Sequence, residues 1–254
     1  MLNYHKPVLF EEVVRYADAG SRRWFVDGTL GDGGHAELIL QNSGPQCRVL
    51  GIDRDAQALA RARERLHRYG NRVTFIHGNF SDIKSILMKT GIEKIDGLLL
   101  DLGVSSRQVD TPERGFSFSK DGPLDMRMNP EDQTTAADLL TTLSDGELQQ
   151  IIKEYGEERY FKRVVRAIRK AQADGPITST AHLSKIISHA VFSPRPPKIH
   201  PATRTFQALR IAVNNELGSL KQALRDSLDV LNNAGRVLAI SFHSLEDRIV
   251  KEFF

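Results

Sequence analysis

Trp24-Phe25-Val26-Asp27-Gly28-Thr29-Leu30-Gly31-Asp32-Gly33-Gly34-His35 is the stretch that decides the fold. An apolar strand runs into closely spaced glycines, and a helical pattern follows at Ala36, Leu38, Ile39 and Leu40. This is the strand–loop–helix opening of a nucleotide-binding α/β domain. Gly31, Gly33 and Ala36 satisfy the dinucleotide fingerprint G-x-G-x-x-G/A. The charge of the loop is nevertheless wrong for a pyrophosphate, because Asp27 ends the strand and Asp32 sits among the glycines. Two carboxylates facing phosphate would each cost on the order of a kcal/mol at partly screened distances. A ligand with a cationic head would gain instead. S-adenosylmethionine carries a sulfonium, an ammonium and no phosphate, so the loop favours it over NAD.

Working outward, Arg48-Val49-Leu50-Gly51-Ile52-Asp53 is a short apolar strand ending in an acid. An acid about twenty residues after the glycines accepts the hydroxyls of an adenosine ribose, in NAD and S-adenosylmethionine binders alike. The competing reading makes Asp53 a mere cap for the helix from Asp55 onward. Further strands are expected at Val73–His77 and Ile95–Leu100, with helices at Ala56–Tyr69 and Ser81–Lys89 between them. Such alternation predicts a parallel, doubly wound, Rossmann-like sheet with the cofactor at the carboxyl ends of its strands. The alternation stops after Asp101. Leu139–Leu143, Leu148–Tyr155, Phe161–Ala171 and Ala181–Val191 read as helices, and Pro194-Arg195-Pro196-Pro197 reads as a return linker. Helices at Thr203–Leu217 and Leu220–Leu231 and a core strand at Gly235–Phe242 follow. The expected organisation is a discontinuous cofactor-binding domain, 1–105 with 201–254, interrupted by an all-helical domain at 106–200.

With 254 residues, 40% hydrophobic and 26% charged, the chain has the composition of an ordinary soluble globular protein. The single cysteine, Cys47, excludes a disulfide framework and a cysteine-based zinc site. No apolar run is long enough for a membrane span, and Glu11 and Glu12 speak against a transit peptide, so a cytoplasmic location is expected. Arg159 to Arg210 holds eleven Lys or Arg and one acid (Asp174), a local charge of +10 in a chain of net charge +3. A basic block in an otherwise acidic chain points to a polyanionic partner.

Asp101 ends the fourth strand, where a methyltransferase sheet faces the methyl group, and is the candidate catalytic residue. Exocyclic amines of nucleobases are poor nucleophiles, and an acceptor there holds the amine hydrogens and favours attack. The plain alternative is a turn or capping aspartate. Arg114-Gly115-Phe116-Ser117-Phe118 interleaves bases and aromatics, suiting either an unpaired base stacked on Phe116 and Phe118 or a packed loop. Arg159, Lys162, Arg166 and Arg169 recur at helical spacing with Arg163 and Lys170 beside them, a basic stripe lacking the acids of an ordinary solvated face. Lys198, His200, Arg204 and Arg210 extend it. Ser244 with Asp247 reads as a capping box, and His243 reads as a packed or capping histidine. Histidines 5, 35 and 243 have no metal-ligand spacing with nearby acids, so no metal is expected.

These residues, together with Asp121-Gly122-Pro123-Leu124-Asp125-Met126-Arg127-Met128, Tyr155-Gly156-Glu157-Glu158-Arg159, His200-Pro201-Ala202-Thr203-Arg204-Thr205-Phe206-Gln207-Ala208 and Ser241-Phe242-His243-Ser244-Leu245-Glu246-Asp247-Arg248, resemble the bacterial 16S ribosomal RNA cytosine-N4 methyltransferase family. The motifs are long and occur in order over essentially the whole chain. The resemblance implies S-adenosylmethionine-dependent methylation of a cytidine N4 in the decoding region of small-subunit RNA. It also implies cofactor contacts at Gly33, Gly34, His35, Asp53, Phe80, Asp101 and Gln108, which join Asp27 and Gly31 of the loop. Expected RNA contacts are Arg114, Phe116, Phe118, Arg159, Lys162, Arg166, Arg169, Lys198 and Arg204, with the helical domain as the RNA-recognition element. Expected partners are small-subunit ribosomal RNA or the assembled subunit and, for the chain itself, a homodimer. Family members continue well past the position of Phe254 with a segment that completes the sheet, so the resemblance implies an open apolar edge here, an association hazard.

Overall fold

The computed structural model describes residues 7–21, 23–191 and 199–254. His5, the Pro194–Pro197 linker and Lys198 lie outside the described residues. Twelve α-helices are described: α1 Phe10–Ala17, α2 Gly34–Gln41, α3 Ala56–Leu66, α4 Ile83–Thr90, α5 Ser106–Asp110, α6 Ala136–Thr142, α7 Asp145–Glu154, α8 Phe161–Gln172, α9 Thr180–Ala190, α10 Thr203–Asn214, α11 Glu216–Val230 and α12 Ser244–Phe253. Five strands accompany them: β1 Trp24–Asp27, β2 Arg48–Asp53, β3 Val73–His77, β4 Ile95–Asp101 and β5 Leu231–Ile240. The chain divides into two compact units, Met1–Gly103 with Leu217–Phe254, and Val104–Glu216.

The first unit is the sheet, with order β3-β2-β1-β4-β5 and every pairing parallel. A parallel sheet needs both faces covered, and its strands therefore read as continuous apolar runs. Successive residues of β1, β2 and β4 feed opposite faces, as a pleated strand requires. Phe25, Val49 and Leu99 join one core with Val13, Ile39, Leu40, Leu59 and Leu66 of α1, α2 and α3. Val26, Leu50, Leu98 and Leu100 join the other with Ile83, Ile86 and Leu87 of α4 and Leu220, Ala223 and Leu224 of α11. Each fully buried Leu, Ile or Phe contributes about 1.5–3 kcal/mol relative to exposure. Gly97 on β4 leaves room for the Phe25 ring, since a Cβ there would sit 2.1 Å from Phe25 Cε2.

Strand order reverses between β1 and β4, the switch point at which such sheets bind ligands beyond their carboxyl ends. Register brings the three terminal acids to that edge: Asp27 lies opposite Gly51, Asp53 opposite His77 and Asp101 opposite Ile240.

The second unit is helical, with no strand among its described residues apart from an isolated bridge, Pro123 to Ser179. Its core joins Leu148 and Ile152 of α7, Val164, Val165 and Ile168 of α8, Leu183 and Ile187 of α9, and Phe206 and Leu209 of α10. Thr135 with Asp138 and Ser144 with Glu147 close capping boxes at α6 and α7. The sequence-based return at 201 therefore falls one helix early. α10 turns Phe206 and Leu209 into the helical core, and the chain rejoins the sheet unit only at Leu217.

Candidate active site

The glycine loop after β1 is held by its neighbours on both sides. Gly28 N donates to Leu99 O (2.9 Å) and Leu30 N to Ile52 O (2.9 Å). Gly31 N donates to Asp53 Oδ2 (2.7 Å). Gly31 and Gly33 adopt φ of 53° and 80°, the left-handed region that glycine enters without strain. Gly33 also lacks room, since a Cβ would meet Leu66 Cδ1 at 2.9 Å.

Inside this frame, three side chains converge from β1, α2 and β4. His35 lies in the first turn of α2 and is buried, its Nε2 3.4 Å from Asp101 Oδ2. That separation allows Coulomb attraction, yet neither ring nitrogen of His35 has a hydrogen-bond partner. Asp27 Oδ2 and Asp101 Oδ1 are likewise buried and unpartnered. The other Asp27 oxygen accepts from Thr29 N (3.2 Å), and Thr29 Oγ1 accepts from Asp101 N (2.6 Å). A buried polar atom without a partner costs about 1–3 kcal/mol, so a cluster of them is expected where a ligand will supply partners. Burial pushes the Asp27 carboxyl up to about 7, with the His35 ring pulling it down and Asp101 and Asp53 adding to the rise. Among the described residues no group of three His, Cys, Asp or Glu is arranged to hold a metal ion.

Asp53 is a half-buried acceptor, not a helix cap. Asp55 caps α3, its side chain accepting from Gln57 N (2.9 Å). Asp53 accepts from Asp55 N (2.8 Å) and Gly31 N (2.7 Å), and burial raises its pKa. The Arg54 backbone donates to it as well, and of the roughly four lone-pair sites of a carboxylate one remains for a ribose hydroxyl. Phe80 follows β3. Gly78 N donates to Asp53 O (2.9 Å), and a Cβ on Gly28 would lie 3.0 Å from Phe80 Cβ, which sets this residue beside the glycine loop.

Asp32 corrects the electrostatic argument drawn from the loop. Its Oδ1 accepts from Arg61 Nε at 2.7 Å, so its charge is balanced from α3. Discrimination against a phosphate rests instead on Asp27 and Asp101, which no cationic arginine or lysine meets in the ion pairs described.

Gln108 belongs to the helical unit. There it closes a capping box with Ser105, its Oε1 accepting from Ser105 N (3.0 Å). The aromatic loop is packed. Phe118 stacks on His200 (centroids 4.4 Å) and meets Phe206 edge-on (5.0 Å), while Phe116 packs against the helical core. Arg114 donates to Arg127 O and Met128 O (3.0 and 2.8 Å). His200 thus takes one face of the half-buried Phe118 ring, and Phe206 meets its edge.

On α8, Arg159 just before it and Lys162, Arg163, Arg166 and Lys170 along it are exposed, with Val164, Val165 and Ile168 buried on the other side. Arg169 departs from this stripe. Its guanidinium donates to Leu140 O, Leu143 O, Asp145 and Gln172, tying α8 to α6 and α7. Arg204 donates to Glu157 O (2.9 Å), and Arg210 pairs with Glu216 (2.8 Å).

Glu246 carries a role that residue patterning does not single out. The cap of α12 lies one residue earlier than expected: His243, not Ser244, closes the box, with Glu246 in place of Asp247. The signal is present as His243-x-x-Glu246, but histidine is an unusual capping residue and Ser244 masks it.

A parallel sheet whose switch point gathers unpartnered acids is the framework of a methyltransferase dependent on S-adenosylmethionine, whose cationic head answers those acids. The chain belongs to the MraW methylase family, whose model matches residues 3–254. It is 53% identical over 253 residues to the ribosomal RNA small subunit methyltransferase H of Geobacter sulfurreducens, covering 98% of this chain and 81% of that protein. The protein of the same name from Syntrophotalea carbinolica is 52% identical over 251 residues, with 98% and 80% covered. A solved methyltransferase from Geobacter sulfurreducens overlaps 56% of this chain and 71% of its own at a TM-score of 0.33 and 18% identity. No helix among the described residues is long and apolar enough to cross a membrane.

Proposed function

We propose that the protein methylates the N4 amine of a cytidine in the decoding region of small-subunit ribosomal RNA. The observation that carries this reading is the set Asp27, His35 and Asp101, whose buried polar atoms stand unpartnered at the carboxyl edge of the sheet. The names of its relatives supply the RNA, and the exposed basic residues of α8 suit a phosphate backbone.

S-adenosylmethionine supplies a methyl group activated on a cationic sulfur. The residues fit it: Asp27 with its unpartnered Oδ2 favours a positive head, Asp53 has a lone pair left for a ribose hydroxyl, and Phe80 makes an apolar wall beside Gly28. Asp101 Oδ1 accepts an amine N–H of the target base, which must leave its stack to reach a buried site. That bond turns the amine lone pair out of conjugation with the ring and holds it for attack. Thr29 fixes the Asp101 backbone for this task. A covalent route through cysteine is disfavoured. Cys47 is fully buried just before β2, at the opposite end of that strand from Asp53, and burial raises its pKa and disfavours the thiolate.

The test is transfer of labelled methyl from S-adenosylmethionine to unmethylated small ribosomal subunits, followed by digestion to nucleosides. Label is expected in N4-methylcytidine, and Asp101→Ala is expected to lower the rate by about 10²–10⁴-fold while leaving the fold intact. Label in another nucleoside, or undiminished transfer by Asp101→Ala, overturns the assignment.

A further inference from the structure

We propose that Phe242 is the platform on which the target base stacks, and that the buried Glu246 and His243 are positioning residues that hold it there; the proposal rests on the cytidine reading above. Phe242 stands two residues beyond the end of β5, at the carboxyl edge of the sheet, and is 59% exposed. A single exposed apolar side chain is ordinary. This one differs in how its backbone is held.

Its N–H donates to Glu246 Oε2 at 2.8 Å, and the same oxygen accepts from His243 N at 3.4 Å. Glu246 is only 2% exposed. The His243 ring adds to the clamp through Nδ1, which accepts from Glu246 N (3.4 Å), while its Nε2 stands 3.2 Å from Glu246 Oε1 without a hydrogen bond. Burying a carboxylate is costly unless its bonds are made, and here they are spent on the main chain at Phe242 and His243. The backbone is fixed while the ring it carries is left in solvent.

The ring has a definite neighbour. β4 and β5 run in register with Asp101 opposite Ile240, and Leu102 N donates to Ile240 O (3.0 Å). Phe242 is therefore two residues past Ile240, as Gly103 is two past Asp101. A Cβ on Gly103 would lie 3.6 Å from Phe242 Cδ2, so the ring lies beside that glycine. Two residues of strand rise are about 7 Å, roughly the span of a pyrimidine with its exocyclic amine. A cytosine on the Phe242 face can thus present its amine toward Asp101. Gly103 has φ 89° and carries no side chain to obstruct the approach. Stacking is indifferent to base identity, which leaves Asp101 to select for an amine. With His200 stacked on one face of Phe118, Phe242 is an exposed aromatic ring of the sheet unit that stands beside Gly103, two residues past the candidate catalytic Asp101.

The experiment measures kcat and KM on unmethylated small subunits for the wild-type chain, Phe242→Ala, Phe242→Leu, Phe242→Trp and Glu246→Gln, with the S-adenosylmethionine Kd by calorimetry for each. The alanine and leucine variants are expected to lose about ten- to a hundredfold in kcat/KM, the scale of one base–aromatic stack. The tryptophan variant is expected within a few-fold of wild type, and Glu246→Gln between the two. Cofactor Kd stays within about twofold throughout. Full kcat/KM in Phe242→Ala, equal activity of the leucine and tryptophan variants, or a parallel loss of cofactor binding overturns the proposal while leaving wild-type cytidine methylation standing. Absence of label from wild type in N4-methylcytidine removes the reading beneath it and the proposal together.

Discussion

Asp27→Asn is a perturbation with an unusual expected sign, because removing this charge should stabilise the protein, and more so as pH rises. Burial pushes the Asp27 carboxyl from an ordinary 3.8 to about 7. The unfolded chain releases this proton near 3.8, whereas the folded chain keeps it to about 7. Between these values the native state binds more protons, so stability falls as pH rises. The penalty is absent below about 3.8 and complete above about 7. Three units at about 1.4 kcal/mol each amount to about 4 kcal/mol, of which about 2–3 kcal/mol develops between pH 5 and pH 8. Asparagine cannot ionise, and whatever its amide costs in that site is the same at both pH values. Asp53, Asp101 and His35, the titratable groups facing Asp27, remain in both chains. The stability difference between Asp27→Asn and wild type should therefore be about 2 kcal/mol or more larger at pH 8 than at pH 5. Urea denaturation followed through Trp24, the single tryptophan and part of β1, reads it directly. A difference that does not change between the two pH values refutes the account of Asp27. The same reasoning applies to the ligand. A cationic head draws the proton from Asp27, so wild-type affinity for S-adenosylmethionine should rise with pH toward 8 with proton release to buffer, and the asparagine variant should show neither.

Two further outcomes follow from the packing and the surface. Replacing Arg159, Lys162, Arg163 and Arg166 together by glutamine should weaken binding to ribosomal RNA and reduce its salt slope by about 3, close to one for each phosphate no longer neutralised. Arg169→Ala should instead lower stability by about 1–3 kcal/mol through the bonds to the carbonyls of Leu140 and Leu143 that it removes, without changing the slope; an unchanged slope in the fourfold variant removes α8 from the RNA surface. Gly97→Ala should destabilise the sheet unit by about 1–3 kcal/mol or more, since its Cβ would enter the Phe25 ring, and a urea midpoint equal to wild type would refute that packing.

The sheet was legible because its information is local. A fully buried parallel strand is an apolar run, and Val49–Ile52 and Ile95–Leu100 are such runs with glycines and acids beside them. The three acids that line the switch point were legible for the same reason, since each sits at the end of its own strand. Their partners were not. Asp32 reads as one more negative charge in the loop, yet Arg61, 29 residues further on, lies against it at 2.7 Å. Arg169 reads as one more member of a basic stripe, because helical spacing places it there, yet it is long enough to reach the carbonyls that end α6. Residue type and spacing show where a charge stands along its own element, whereas the element across from it decides whether the charge is spent.

The same distinction explains why the sequence directs attention to the aromatics of 116–118 and away from Phe242. In sequence, Phe116 and Phe118 stand among arginines and look like a nucleic-acid surface, while Phe242 continues an apolar strand and looks like core. In the fold the roles reverse. Phe118 takes His200 on one face and Phe206 at its edge and is half-buried. Phe242 has run past the last paired residue of β5 and is exposed. A strand that overshoots its sheet by two residues delivers its final side chain to the carboxyl edge, where ligands of parallel sheets bind. The pairing Asp101 with Ile240 sets that overshoot, and it cannot be read from either segment alone. The site is thus written twice, once in the acids that end β1, β2 and β4, and once in the register that brings Phe242 and Gly103 alongside them.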